Sequence, residues 1–138
     1  MRVFLDANVL FSASNAGSPL HDLVTSLIRR SSCVTNSHAI AEATRNLDVK
    51  RPGWLIEFRS LVSRIEKIDS LADVSDAGIK DKDKPILGGA VAAQCSHLVT
   101  GDRRDFGHLM GKTHHGVRIV TPKMLADELV QLNLASVR

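Results

Sequence analysis

The chain has 138 residues, 43% of them hydrophobic and 24% charged, with a formal charge of +3. That is the size of one domain, spanning 1–138, whose core needs no metal or disulfide staple. The composition excludes collagen-like, low-complexity and disordered chains, and no apolar run approaches the ~18 residues of a transmembrane helix; the slight basic excess permits a nucleic-acid partner without demanding one.

Residues 2–5 (RVFL) read as a short buried strand, with Asp6 directly after it. The N-terminal apolar run is broken by Asp6 and Asn8, so it is not read as a secretory signal. Ser18 and Pro19 suit the N-cap and first position of a helix. Leu20, Leu23, Val24, Leu27 and Ile28 then fall on one apolar stripe. A strand is expected around Cys33, Val34 and Thr35. Asn36 or Ser37 can cap the next helix, 37–47, with Ile40, Ala43 and Leu47 on one face and Glu42 and Asn46 on a polar one. Arg51, Pro52 and Gly53 interrupt the chain. A third helix carries Trp54, Leu55, Phe58, Leu61, Val62 and Ile65 on one side.

Residues 66–69 read as a strand and 73–84 (DVSDAGIKDKDK) as a polar loop. Pro85 opens a helix over 85–95 whose Gly88, Gly89, Ala92 and Ala93 allow close packing on a sheet. Lys84 precedes the proline and is expected as N-cap, with Asp83 just outside. Residues 97–100 and 118–121 read as strands, and Thr121 and Pro122 start a last helix through about residue 133. Cys33 and Cys95 have no metal-like spacing and read as buried thiols of a reducing cytoplasm. Strands alternating with amphipathic helices predict an α/β fold with a mostly parallel sheet between two helical layers.

In such a fold the working site lies beyond the carboxyl ends of the strands. Asp6 and Asp102 each follow a strand, and Asp83 stands at a helix start. Glu42 lies among alanines that leave it uncovered. Any one of them reads equally well as a cap or turn residue. Together, four acids from four segments can converge on one cleft. Two carboxylates about 4 Å apart repel by about 4 kcal/mol at an effective dielectric of about 20. Such a cluster calls for a hard divalent cation with oxygen ligands, Mg²⁺ or Mn²⁺, which suits phosphodiester hydrolysis.

Four stretches carry a resemblance: VFLDANVLFSA (3–13), NSHAIAEATRNL (36–47), DKPILGGAVAAQCSHLVTGDRRDFG (83–107) and GVRIVTP (116–122). In their order and spacing the chain resembles a PIN domain of the bacterial toxin group related to VapC. The resemblance implies a PIN-like three-layer α/β/α sandwich and a Mg²⁺- or Mn²⁺-dependent endoribonuclease. It implies Asp6, Glu42, Asp83 and Asp102 as the metal-binding catalytic acids. Asn8 and Thr100 match polar positions that support them. Asp105 stands as a fifth ligand, an outer acid or a loop residue. The resemblance further implies a toxin with a cognate antitoxin protein, a homodimer, and action on RNA in the cytoplasm.

Arg45, Lys82, Lys84, Arg103 and Arg104 lie near the expected cleft and are candidates to hold an RNA backbone, as are Lys50 and Arg51. Tyr is absent and aromatics are 4%, so no base-stacking platform is visible. His114 and His115 read as part of a solvated loop; His21, His38, His97 and His108 show no ligand spacing. Two other readings compete. One is a non-catalytic PIN-like module that binds RNA or protein. The other is a haloacid-dehalogenase-like phosphatase, but that pattern wants an acid where Asn8 stands, and the chain is small for it.

Overall fold

Val3, Phe4 and Leu5 are all fully buried. Successive strand residues point to opposite faces, so the strand that holds them is covered on both sides. In the computed structural model, which describes the backbone of residues 1–137 and the side chains of residues 1–133, this strand is β1 (Arg2–Leu5). It pairs in parallel with β2 (Ser32–Thr35) on one side and β4 (His97–Val99) on the other, with Val3 opposite both Cys33 and His97. Beyond them lie β3 (Glu66–Lys67) and β6 (Val117–Val120), also parallel. The edge strand β5 (Thr113–His114) runs antiparallel to β6. Among the described residues the order is β3-β2-β1-β4-β6-β5.

The helices follow local signals. α1 (Ala7–Ala13) starts directly after Asp6 and buries Ala7, Val9, Leu10 and Ala13. α2 (Pro19–Arg30) is capped by Ser18, whose hydroxyl accepts from the His21 N–H, and its apolar stripe packs on the core. α3 (Ser37–Lys50) is capped by Asn36, whose Oδ1 accepts from the Ala39 N–H. After a 3-10 turn at Pro52–Trp54 comes α4 (Leu55–Val62). α5 (Lys84–Ala92) packs on β1, β2 and β4. The short α6 (Arg103–Phe106) follows β4, and α7 (Pro122–Val137) packs on β6.

Several elements depart from the pattern reading. Lys84 is not the N-cap: its φ of −61° and ψ of −38° make it the first helical residue, and Asp83 occupies the cap without a side-chain hydrogen bond. The proline restriction is overridden because a 3-10 turn at Asp81–Asp83 already winds the chain into the helix. That helix stops at Ala92, before the left-handed Gln94 (φ 56°), rather than reaching Cys95. The strand expected at 66–69 keeps two residues, whereas α3 and α7 run past their expected ends. α1, α6 and β5 have no counterpart in the periodicity, since seven, four and two residues are too few to display one.

The sheet order places the topological switch at β1, from which the chain leaves to β2 on one side and β4 on the other. A crevice forms at the carboxyl ends of β1 and β4. Asp6 follows β1 and Asp102 lies just beyond β4.

Candidate functional site

Asp6 is almost fully buried at the end of β1. Its Oδ1 accepts from the Ala7 N–H at 2.6 Å, and its Oδ2 accepts from the Thr100 hydroxyl at 2.8 Å and from Asn8 Nδ2 at 3.3 Å. The same hydroxyl accepts from the Asp102 N–H at 3.1 Å, and Asn8 Oδ1 accepts from the Gly101 N–H at 2.8 Å. Asn8 and Thr100 thus lace the end of β1 to the turn after β4. Burial pushes the Asp6 carboxyl up to about 6. The Thr100 and Ala7 hydrogen bonds oppose that rise, and the charges of Glu42 and Asp102 add to it.

Asp102 caps α6, its Oδ1 accepting from the Asp105 N–H at 3.0 Å. That short helix turns Asp105 inward, where it is buried. Asp83 stands at the start of α5 and is also buried. Oxygens of Asp83, Asp102 and Asp105 lie within 4.8 Å of one another. Asp6 and Glu42 stand outside that spacing, and Asp6 feels both Glu42 and Asp102 through their charges. Asp81 points away, 95% exposed and paired with Lys84 at 2.8 Å.

The Asp83 carboxyl is raised by burial and by the neighbouring Asp105 carboxylate. Asp105 is held well below the usual carboxylate range by Lys82 and Lys80, whose ammonium groups lie 2.8 Å from Oδ2 and 3.0 Å from Oδ1. Asp83 Oδ2 is buried and has no hydrogen-bond partner among the described residues. A buried carboxylate oxygen with no donor is costly unless a cation faces it. The donor set is all oxygen, which fits a hard ion such as Mg²⁺ or Mn²⁺. Lys80 escaped the sequence reading. Its signal was the K-D-K-D-K alternation at 80–84, which spaces lysines at every second residue around Asp81 and Asp83.

The basic candidates separate. Lys82 is engaged with Asp105 and Lys84 with Asp81. Arg45, Arg103 and Arg104 are exposed and make no ion pair among the described residues. An open groove of about 440 Å³ runs beside the crevice, lined by Asn8, Ser12, Leu20, Gly101, Asp102 and Pro122.

The fold and its crevice define an α/β protein of PIN-like architecture with an acidic candidate metal centre at the switch point. Among solved structures, a chain of VapBC2 from Rickettsia felis, crystallised bound to a DNA fragment from their promoter, is similar over 88% of this chain and 98% of that one. The TM-score is 0.64 and the identity 19%, a likeness of fold. No family model and no curated protein matches the sequence. No helix among the described residues is long and apolar enough to cross a membrane.

Proposed function

We propose that the chain is a divalent-metal-dependent endoribonuclease, the toxin of a toxin–antitoxin pair. The observation that carries this reading is the buried Asp83 Oδ2, left without a donor beside Asp102 and Asp105 at the strand ends. In this reading Asp6, Asp83 and Asp102 hold Mg²⁺ or Mn²⁺, with Glu42 acting directly or through water and Asp105 as a further ligand. A bound ion would supply polarisation of a phosphate oxygen and would lower the pKa of water, so that hydroxide is available to attack phosphorus near neutral pH. Thr100 and Asn8 fix the orientation of Asp6 before substrate arrives, so no reorganisation is needed at the moment of reaction. Lys82 and Lys80 neutralise Asp105 in the cation-free protein. Arg45, Arg103 and Arg104 hold the RNA backbone, and Lys82 and Lys84 join them once released from their acids. Cleavage leaves a 5′-phosphate and a 3′-hydroxyl.

The likeness to a chain of a VapBC2 complex bound to promoter DNA supports a protein antitoxin as partner. In the same reading the protein works in the cytoplasm as a homodimer, which light scattering checks directly.

The test is cleavage of a mixed RNA panel in EDTA, Mg²⁺ and Mn²⁺, with Asp6→Asn prepared in parallel. Cleavage that requires the cation and disappears in the variant is the expected result. Cleavage retained by the variant would remove Asp6 from the site. RNA that binds yet stays intact under every condition would favour the non-catalytic module.

A further inference from the structure

A second polar cluster lies outside the acidic centre. His114 ends β5, and His115 and Gly116 form the two-residue turn into β6, with φ of 49° and 82°. Both are left-handed, as a tight hairpin turn with the twist of its strands requires. Consecutive residues of an extended strand send their side chains to opposite faces. The left-handed backbone at His115 breaks that alternation, and both rings reach one carboxylate. That carboxylate is Asp76, on the 3-10 turn Ser75–Ala77 between β3 and α5. His114 Nε2 lies 3.3 Å from Asp76 Oδ1; His115 Nε2 lies 3.1 Å from Oδ1 and 3.2 Å from Oδ2. The two rings stand edge to face, 4.4 Å between centroids.

The geometry points to a second cation site, for Zn²⁺, held by Nε2 of His114, Nε2 of His115 and a carboxylate oxygen of Asp76. A tetrahedral zinc with bonds of about 2.0–2.1 Å sets neighbouring ligand atoms about 3.3 Å apart. The two nitrogen–oxygen separations already match that spacing. All three ligand atoms lie within 4.8 Å of one another, so closing the nitrogen–nitrogen edge takes at most about 1.5 Å. The exposed side leaves the fourth position to water. On binding, each imidazole offers its Nε2 lone pair and keeps its proton on Nδ1, while Asp76 exchanges its hydrogen bonds for a metal bond. Two nitrogens and one oxygen suit a borderline ion, whereas the all-oxygen centre suits a hard one, so the two sites sort different cations. His108 Nε2 lies 3.3 Å from the Ala77 carbonyl oxygen and steadies the same turn. An ion here fastens the hairpin to the segment that carries Lys80, Lys82 and Asp83.

The experiment titrates the full chain with Co²⁺, read by the visible absorption of the tetrahedral ion. Zn²⁺ is then measured against a chromophoric chelator, with saturating Mg²⁺ present throughout to occupy the acidic centre. Wild type and Asp83→Asn are expected to take up one equivalent of Zn²⁺. Asp76→Ala and His115→Asn are expected to bind it about 10-fold more weakly or worse. Asn tolerates the left-handed backbone, and Asp76 is exposed, so if one variant fails to fold the other decides the question. No uptake by wild type overturns the site. So does uptake unchanged in Asp76→Ala and His115→Asn, or lost only in Asp83→Asn.

Discussion

In the proposed site, Asp6 is the residue at which function and stability would oppose each other. Its carboxyl is raised from 3.8 to about 6 in the folded chain. Between those values the folded state holds more proton than the unfolded one, so stability falls as pH rises through the window. Above pH 6 the penalty is complete, about 3 kcal/mol for a shift of this size. Metal-free Asp6→Asn is therefore expected to be more stable than wild type at pH 8 by up to about 3 kcal/mol, with the gap closing toward pH 4. Urea denaturation in EDTA at both pH values checks it. A variant less stable at pH 8 would mean that the hydrogen bonds of Asp6 outweigh its desolvation. Thr100 is the main counterweight. Thr100→Val keeps the shape but strips the hydroxyl from Asp6 Oδ2 and from the Asp102 N–H. The expected cost is about 1–3 kcal/mol. Asp6 should then titrate higher still, which carboxyl-carbon NMR reads directly.

At the scale of elements, α5 is placed by two glycines. A Cβ on Gly89 would stand 2.7 Å from Asn36 Nδ2 and 3.1 Å from Phe4 Cε2, where the helix crosses β1 and the cap of α3. A Cβ on Gly88 would stand 2.7 Å from the carbonyl oxygen of Ala72, a backbone atom that cannot swing aside. The Ala72 N–H donates to the Gly88 carbonyl oxygen, so this segment is strapped to the helix. Alanine in an exposed helix would gain about 1 kcal/mol over glycine. Here Gly88→Ala is expected to lose about 1–3 kcal/mol instead, measured by denaturation. The small residues at 88 and 89 were legible in the sequence as a close-packing signal. Their partners were not: Gly89 meets the sheet, but Gly88 meets a loop segment with no pattern of its own. The helix start was misplaced for a related reason. The rule for the residue before proline is local, and the 3-10 turn that overrides it is held by Asp83 N–H donating to the Lys80 carbonyl oxygen.

For the whole molecule, the proposed metal centre would make stability depend on a cation. An ion that binds only the folded state adds about 2.7 kcal/mol at one hundred times its dissociation constant. Mn²⁺ is expected to raise the thermal midpoint of wild type and to leave that of Asp83→Asn nearly unchanged. Differential scanning fluorimetry with and without EDTA reads both. Equal shifts in the two proteins would place the ion elsewhere. The same measurement with Zn²⁺ should shift wild type and Asp83→Asn alike if Asp76 and the two histidines hold it.

Local sequence was enough for the alternating α/β layout, the strands at 2–5, around 33–35, at 97–100 and at 118–121, the cap at Ser18, a choice of Asn36 or Ser37 for the cap of α3, and the edge of the sheet where Asp6 and Asp102 emerge. These follow from local periodicity, from capping chemistry and from the rule that parallel strands put their working edge at the carboxyl end. Tertiary structure alone decided which acids approach most closely. Asp105 joins Asp83 and Asp102 because a one-turn helix, too short for any periodic signal, rotates it inward. Lys80 and Lys82 reach it across more than twenty residues of chain, a distance in sequence on which no local pattern bears. His114 and His115, a solvated loop by sequence, find Asp76 only because the hairpin folds back over the turn after β3. Charges separated along the chain meet through packing of the elements that carry them, and spacing in sequence does not encode that packing.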